Sequence, residues 1–388
     1  MTSFNWNNIF LNNYGTPAIE LVAGEGVIVK DSQGNIYLDF LSGIAVNSLG
    51  HAHPVIVEAV SDQIKKLSHT SNFYANDPSI KLAEKLIAIT NFDAKVFFCN
   101  SGTEANEAAI KLSRRTGKKQ LIAAHNSFHG RTMGSLSITG QLAKQKPFEP
   151  LIGDVRFINI NTKSGVRKIK RKSAAVFLES IQGEGGVTPC DDEFLQSVRS
   201  KSSKTKTLLV MDEVQTGLGR TGNWFGFEKS GIKPDVITLA KGLGGGLPMG
   251  AMLVTGEAKE LFEPGQHGST FGGNPVVASA ALATLNFIEK EDLLNNATNM
   301  GQLLIKLITQ IESVTEVRGR GLLLGVGLKD VMAKDVELEC RKLGLLLNAV
   351  NENTLRLAPA LIVNIDQVKR CAEIIDDAIR NVRKGLKK

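Results

Sequence analysis

The sequence lacks the features that mark a membrane protein or a disulfide-stabilised one. Of its 388 residues only four are cysteines, and these are widely separated, with no paired spacing. Scattered cysteines are typical of reduced, mostly buried thiols. No apolar run approaches the length of a membrane helix, and the polar N-terminus lacks the basic-then-apolar order of a signal peptide. We therefore expect a cytoplasmic protein with no membrane partner.

Internal repeats and low-complexity linkers are also missing. The length is large for one hydrophobic core and fits a large domain with a smaller companion. Strand-like runs alternate with helical patterns through residues 90–255, which predicts an α/β fold with a mostly parallel central sheet and helices on both faces. From about Pro275, long helical patterns and short strands predict a smaller α+β domain.

Acidic residues are in the minority, and the formal net charge is +7. Much of the excess lies in two basic runs, residues 163–172 and 199–206. A nucleic-acid surface is one interpretation, but no aromatic residues are interleaved with these charges and no recognised binding motif accompanies them. We favour solvated helix or loop faces and predict no nucleic-acid partner. His51 and His53 form an HxH pattern without a cluster of carboxylates or cysteines nearby, so we favour local hydrogen bonding of a turn and predict no metal site.

Two probable strands bring reactive side chains to one edge of the sheet. The apolar run 208–211 ends in Asp212, and the run 236–240 ends in Lys241, which a glycine-rich turn follows. A lysine among apolar residues and glycines is poorly solvated, so its amine becomes nucleophilic. A carboxylate that holds a pyridine nitrogen protonated turns that ring into an electron sink. Either signal alone is weak, since a solvated strand end or a helix cap is commoner, but together they indicate pyridoxal phosphate chemistry.

Other motifs also follow probable strands. The turn at residues 101–103 precedes a predicted helix, where free backbone N–H groups suit a phosphate, although a simple N-cap is equally consistent. Phe128 could stack on a flat ring and Arg131 could bind a carboxylate, or the two could be core and surface residues. Glu184 lies in a glycine-flanked loop. Arg356 lies within an apolar strand and needs a partner, because an unpaired buried guanidinium is costly.

In combination the motifs resemble those of the class III aminotransferases over nearly the whole chain. The matching segments are DFLSGIAVNSLGHAHP, HTSNFYAND, SGTEANEAAIKLSRR, FHGRTMGSLSITGQ, IQGEGGV, MDEVQTGLGRTG, LAKGLGGGLPMGA, GSTFGGNP, RGRGLLLGVGL and LRLAPALIV. The resemblance implies an aspartate aminotransferase-like fold and a homodimer with shared active sites. We expect an N-terminal segment (1–50) that packs with the small domain, a large cofactor-binding domain (51–275) and a small C-terminal domain (276–388).

The resemblance also implies how pyridoxal 5'-phosphate is bound. Lys241 would carry the covalent link to the cofactor and then act as acid and base. Asp212 would pair with the pyridinium nitrogen, Gln215 would hydrogen-bond the ring hydroxyl, and Phe128 would stack on the ring. The residues implied to bind the phosphate are Ser101, Gly102, Thr103 and Thr270 of the partner subunit.

The implied substrates are N2-acetyl-L-ornithine and 2-oxoglutarate, with L-glutamate as a product of this arginine-biosynthesis step. Arg131 would bind a carboxylate of each substrate. Arg356 would bind the α-carboxylate of glutamate, with Glu184 as its partner when that carboxylate is absent. Free ornithine and succinyldiaminopimelate are alternative amino donors, and the sequence favours 4-aminobutyrate less than either. The family's ornithine enzymes typically carry a tyrosine near Ile44, so its absence favours an acylated substrate. One departure from the family is Ser180, where a proline is frequent.

Overall fold

A computed structural model of the protein describes residues 6–386. Its strands are, in chain order, β1 (Leu21–Glu25), β2 (Ile28–Asp31), β3 (Ile36–Asp39), β4 (Ala94–Cys99), β5 (Gln120–Ala124), β6 (Val155–Ile158), β7 (Ser173–Glu179), β8 (Ile181–Gln182), β9 (Thr188–Pro189), β10 (Leu208–Asp212), β11 (Val236–Leu239), β12 (Gly250–Thr255), β13 (Val314–Arg320), β14 (Leu323–Leu328), β15 (Leu345–Leu346), β16 (Asn348–Asn351) and β17 (Thr354–Leu357).

The helices of the described residues surround these strands. They are α1 (Trp6–Ile9), α2 (Ser42–Ala45), α3 (Pro54–Lys66), α4 (Asp77–Thr90), α5 (Gly102–Arg114), α6 (Met133–Ser137), α7 (Leu142–Gln145), α8 (Lys163–Arg167), α9 (Asp192–Thr205), α10 (Pro275–Lys290), α11 (Leu293–Ile308), α12 (Ala333–Lys342) and α13 (Ile365–Leu386). Short 3-10 helices cover Lys146–Phe148, Glu228–Ser230, Lys241–Gly244 and Gly256–Glu260. Between residues 6 and 386, no helix is long and apolar enough to cross a membrane.

A seven-stranded sheet forms the centre of the molecule, in the order β4-β12-β11-β10-β7-β5-β6. Only β12 runs antiparallel to its neighbours, β11 and β4, while the other pairings in this sheet are parallel. Strands β5, β7, β10, β11 and β12 are buried along their length, apart from the half-buried first residue of β10. A parallel sheet needs helices on both faces, which explains why these strands are almost continuously apolar. The predicted mostly parallel α/β sheet is confirmed.

The N-terminal and C-terminal parts of the chain share one hydrophobic core. The small sheet β1-β2-β3-β15 joins residues 21–39 to residues 345–346. Phe40 and Leu49 belong to the same buried cluster as Leu355 and Ile375. A second four-stranded sheet, β13-β14-β17-β16, contributes the strand that carries Arg356.

The two basic runs occupy helices and the loops that follow them. The first begins in α8, and the second covers the end of α9. The lysines and arginines of the first run are exposed, and Arg199 of the second pairs with Asp235 at 2.8 Å. His51 of the HxH pattern bonds to Asp39 at 2.9 Å. Within the described part of the chain, no group of three or more His, Cys, Asp or Glu side chains is arranged to hold a metal ion.

Candidate active site

Three parallel strands end in ionisable side chains at the same edge of the central sheet. Glu179 ends β7, Asp212 ends β10, and Lys241 follows β11 after one further residue. The strand register aligns Asp212 with Glu179 on one side and with Thr238 on the other. Because the carboxyl ends of parallel strands meet at one edge, this edge is where α/β proteins bind ligands.

A cavity of about 480 Å³ opens at this edge. Most of the residues that the sequence singled out line it, namely Ser101, Gly102, Thr103, Phe128, Arg131, Asp212, Gln215 and Lys241. Its wall is mostly apolar, with contributions from Val46, Leu247 and Met249. A concave, largely apolar site with a few convergent polar groups is the usual form of a cofactor pocket.

Asp212 is held in place by two side chains that the sequence did not single out. His129 Nδ1 lies 2.7 Å from Asp212 Oδ2, and Asn106 Nδ2 donates to the same oxygen at 2.8 Å. The other oxygen accepts from the backbone N–H of Val214 at 3.0 Å. Asn106 is in turn fixed by Thr238, whose hydroxyl donates to Asn106 Oδ1 at 3.0 Å. The carboxylate is therefore orientated from several sides.

His129 is fully buried between two carboxylates. Burial lowers its pKa, but the hydrogen bond and charge of Asp212, assisted by the charge of Glu179, outweigh burial and raise the pKa above its ordinary value. Glu179 accepts from the backbone N–H of Phe128 at 3.0 Å. Burial raises the pKa of Glu179 to about 7, with His129 lowering it and Asp212 adding to the rise. In the sequence, the only signals for this cluster are His129 in the FHGR motif and Glu179 at the end of an apolar strand.

Lys241 has the properties of a nucleophilic amine. Burial lowers the pKa of Lys241 to about 8, and the positive charge of Arg356 contributes to this lowering. The negative charges of Glu184, Asp212 and Glu179 raise this pKa, but they do not outweigh burial. Its backbone has a φ of 45°, in the left-handed region that side chains rarely adopt. Such strain often occurs at functional sites, and here it directs the chain into the glycine turn immediately after the strand.

The proposed phosphate-binding turn is the N-terminus of α5. Ser101 is its N-cap, with its hydroxyl accepting from the N–H of Glu104 at 3.3 Å. The carboxylate of Glu104 reaches back and accepts from the backbone N–H of Asn100, the residue before the N-cap, at 2.9 Å. The hydroxyl of Thr103 bonds to Thr132 at 2.7 Å. The first backbone N–H groups of the helix, which have no partner within the helix, remain directed outward for an anion.

Arg356 is completely buried, and its guanidinium contacts Gln215, which lines the cavity. Nη1 donates to Glu184 Oε1 at 2.5 Å and to Gln215 Oε1 at 3.2 Å, and Nε donates to Asn348 Oδ1 at 3.1 Å. Nη2 is buried with no hydrogen-bond partner within residues 6–386. Burial alone would raise the pKa of Glu184, but the charge and hydrogen bond of Arg356 outweigh it and lower the pKa. The arginine in its apolar strand thus has a carboxylate partner.

Thr270 lies outside the cavity. It is exposed in the loop before α10, and the neighbouring Phe271 is 59% exposed. Glu184 and Arg356 also lie beyond the cavity wall, behind Gln215, which contacts Arg356.

Ser180 and Glu213 form a buried structural pair beside the site. The Ser180 hydroxyl donates to Glu213, which also accepts from Thr216 Oγ1 at 2.8 Å and from the N–H of Gly226 at 2.7 Å. Burial raises the pKa of Glu213 to about 7 despite these hydrogen bonds. The hydroxyl that replaces the family's frequent proline therefore satisfies a buried carboxyl group.

The residues present fit pyridoxal phosphate. The cavity offers an amine of lowered pKa, a fixed carboxylate, an aromatic ring and a helix N-terminus, which match the aldehyde, ring nitrogen, ring face and phosphate of that cofactor. Fold and site together define an enzyme that acts on amino groups through this cofactor. The chain matches the family model described as Aminotransferase class-III over residues 10–379, and it belongs to that family of pyridoxal-phosphate-dependent aminotransferases.

Comparison with known proteins gives the same family. The chain is 52% identical over 363 residues to the acetylornithine aminotransferase of Mycobacterium tuberculosis, covering 92% of this chain and 91% of that protein. The solved structure of acetylornithine aminotransferase from Elizabethkingia anophelis superposes with a TM-score of 0.84 at 32% identity, covering 96% and 97% of the two chains. The ornithine aminotransferase of Toxoplasma gondii, solved with partial occupancy of PLP at its active site, gives a TM-score of 0.92 at 28% identity, covering 98% and 94%. The expected aspartate aminotransferase-like fold is confirmed.

Proposed function

We propose that the protein transfers the δ-amino group of N2-acetyl-L-ornithine to 2-oxoglutarate. The products are N-acetyl-L-glutamate 5-semialdehyde and L-glutamate, and the reaction is a ping-pong transamination that serves arginine biosynthesis. The observation that carries this proposal is the ion pair between the buried Arg356 and the half-buried Glu184, whose charges both act on Lys241. The identity to acetylornithine aminotransferases over most of the chain supports it.

The reacting end of each substrate explains the need for the Arg356–Glu184 pair. 2-Oxoglutarate carries a carboxylate on the carbon that receives the amino group, whereas the reacting δ-carbon of N2-acetyl-L-ornithine carries only a hydrogen in that position. A cation that binds the first substrate would be left unpaired and buried beside the second, which is costly. Glu184, which is 26% exposed in its glycine-flanked loop, can pair with Arg356 or swing away. One pair therefore accommodates both substrates.

The other side chains of the site each have a separate role in the reaction. Pyridoxal phosphate, when bound, supplies a carbonyl that takes up the amino group and a protonated ring that accepts electron density from the substrate carbon. Asp212 holds the proton at the ring nitrogen, and His129 holds Asp212. Lys241 Nζ binds the cofactor and moves a proton at the substrate carbon, a task suited to an amine whose pKa is about 8. Arg131 binds the carboxylate at the far end of each substrate.

An acylated substrate is favoured over free ornithine by the surroundings of Ile44. This residue lies in the turn Ser42–Ala45, where residues 42–45 all have positive φ, and it is 37% exposed. The next residue, Val46, lines the cavity. An apolar side chain at this position offers no hydrogen bond to a free α-ammonium group. Succinyldiaminopimelate shares the acylated amine and is the second candidate substrate.

The proposal includes a homodimer located in the cytoplasm, with the domain boundaries given above. Thr270 is exposed in one chain, so it would contribute to phosphate binding only in the partner's site. Asn72 donates to the backbone oxygens of Ser269 and Gly272, which joins this loop to a segment where Phe73 is 92% and Tyr74 is 73% exposed. Exposed aromatic clusters of this kind are typical of subunit interfaces. The four cysteines are free and buried, as in proteins of reducing compartments.

Initial rates with four amino donors test the substrate assignment. N2-acetyl-L-ornithine, L-ornithine, 4-aminobutyrate and N-succinyl-LL-2,6-diaminopimelate are each supplied to the holoenzyme with 2-oxoglutarate. We expect the highest kcat/KM with N2-acetyl-L-ornithine. Dominant turnover of free ornithine would contradict the assignment, while absence of turnover with every donor would contradict the proposed reaction.

A further inference from the structure

A second cation lies beside Arg131, at a residue to which no role has been assigned. Lys144 belongs to the short helix α7, and its Nζ lies 5.9 Å from the centroid of the Phe128 ring. The Arg131 guanidinium carbon lies 5.5 Å from the same centroid. Phe128 and Arg131 line the cavity, and Lys144 reaches the same wall through its position against the Phe128 ring.

Neither cation has a carboxylate partner within the part of the chain that the structure describes. Arg131 makes no hydrogen bond or ion pair there, and the Lys144 side chain donates only to Gln141 Oε1. Burial lowers the pKa of Lys144, Glu184 partly opposes this effect, and the charge of Arg131 adds to the lowering. The carboxylate of Glu184 is already paired with Arg356. Two neighbouring positive charges thus lack an anion.

Lys144 is held in position more firmly than an ordinary surface lysine. The side-chain amide of Gln141 donates to the backbone oxygens of Asn126 and Ser127 at 3.5 and 3.3 Å, directly before Phe128. The backbone N–H of Lys144 donates to the oxygen of Gln141 at 2.9 Å. Gln141 therefore ties the ammonium group to the segment that carries the ring. An ammonium has three N–H donors, so further donors remain for a ligand.

We propose that Lys144 and Arg131 together bind the substrate carboxylate that lies away from the reacting carbon, in both half-reactions. This inference rests on the proposed function, because it concerns the α-carboxylate of N2-acetyl-L-ornithine and the distal carboxylate of 2-oxoglutarate. A carboxylate between the two cations removes their mutual repulsion. Arginine offers a planar fork and lysine a point charge, so the two contacts are complementary. Lys144 is then a specificity residue that contributes to binding and takes no part in proton transfer.

Calorimetric titration of the holoenzyme with unreactive probes tests this role. One probe is N-acetyl-L-norvaline, which is the acylated substrate without its δ-amino group, and the other is glutarate. Lys144→Met removes the charge and keeps the stem, Lys144→Arg restores a cation, and Lys146→Met is the matched control on an exposed neighbouring lysine. We expect Lys144→Met to weaken both probes about tenfold, as loss of one charge-assisted hydrogen bond predicts. Lys144→Arg should recover most of the affinity, and Lys146→Met should match the wild type.

Steady-state kinetics supply a second readout. If the contact is equally strong in the ground state and the transition state, Lys144→Met raises KM for both substrates and leaves kcat nearly unchanged. Unchanged probe affinity in Lys144→Met, or a fall in kcat at constant KM, overturns the proposal. Wild-type binding of glutarate but not of N-acetyl-L-norvaline would refute the acylated substrate, while the glutarate titrations would still decide the role of Lys144. If the wild type binds neither probe, both proposals fail.

Discussion

The Arg356–Glu184 pair predicts that Glu184→Gln changes the two half-reactions in opposite directions. Glutamine keeps the shape of the side chain and an oxygen that can accept from Arg356 Nη1, and it removes the negative charge. Arg356 retains its contacts with Gln215 at 3.2 Å and Asn348 at 3.1 Å, so its position should be preserved. The variant therefore tests the loss of the negative charge of Glu184 without moving Arg356.

The size of the effect follows from the hydrogen bond between Arg356 and Glu184, which the negative charge of Glu184 strengthens. A hydrogen bond to a charged partner contributes about 1.5–3 kcal/mol and a neutral one about 0.5–1.5 kcal/mol, so the difference is about 1–1.5 kcal/mol. Glu184 is 26% exposed, and solvent weakens its interaction with the fully buried Arg356. We therefore expect about tenfold, which corresponds to about 1.4 kcal/mol. 2-Oxoglutarate no longer competes with a carboxylate and should react more efficiently, while N2-acetyl-L-ornithine meets an unpaired cation and should react less efficiently.

Single-turnover experiments measure each half-reaction separately. The absorbance of the bound cofactor is followed after mixing the holoenzyme with N2-acetyl-L-ornithine, or the amino form of the enzyme with 2-oxoglutarate. The ratio of the two kcat/KM values should shift at least tenfold in favour of 2-oxoglutarate. Glu58→Gln, at an exposed position in α3, is the control and should leave the ratio unchanged. If Glu184→Gln lowers kcat/KM equally in both half-reactions, the alternating role of the Arg356–Glu184 pair is refuted.

Three further predictions concern the cofactor site. Because the pKa of Lys241 is lowered to about 8, its amine in the apoenzyme is neutral above that pH. The rate at which an amine reagent modifies Lys241 should therefore rise with pH, with a midpoint near pH 8. A midpoint above pH 10 would contradict this prediction. His129→Leu removes the closest donor to Asp212 and should weaken binding of pyridoxal phosphate to the apoenzyme about tenfold, as equilibrium dialysis would show. Unaltered affinity would mean that Asn106 and the backbone N–H of Val214 position the carboxylate without His129. A methyl group at Gly250 would lie 2.4 Å from the backbone oxygen of Ser101, so Gly250→Ala should destabilise the protein by about 1–3 kcal/mol in thermal unfolding, whereas Gly153→Ala, with open space around it, should have little effect.

The strand ends that carry the chemistry could be predicted because local patterns define them. A buried apolar run that stops at Asp212 or Lys241 places that side chain at the sheet edge, whatever the rest of the chain does. The need of Arg356 for a partner followed from the cost of burying a charge. Both inferences use residues close together in the sequence or a general energetic rule.

The supporting residues could not be predicted because they act through tertiary contacts. His129 is 83 positions from Asp212 in the sequence, and Asn106 is 106 positions away on a helix that packs beneath the sheet edge. The antiparallel direction of β12 within an otherwise parallel sheet also has no local signal. The turn Ser42–Ala45 even opposes local preference, since its positive φ values are held by Asp39, whose carboxylate accepts from the N–H groups of Leu41 and Ser42.

Lys241 is the residue on which the proposed chemistry depends, because its amine binds the cofactor. Borohydride treatment of the holoenzyme converts a lysine–cofactor link into a stable bond, and peptide mass mapping then identifies the lysine that carries it. We expect the cofactor on the peptide that contains Lys241, and we expect no stable adduct in Lys241→Ala. Attachment at another lysine, or an unchanged yield in Lys241→Ala, would contradict this role of Lys241.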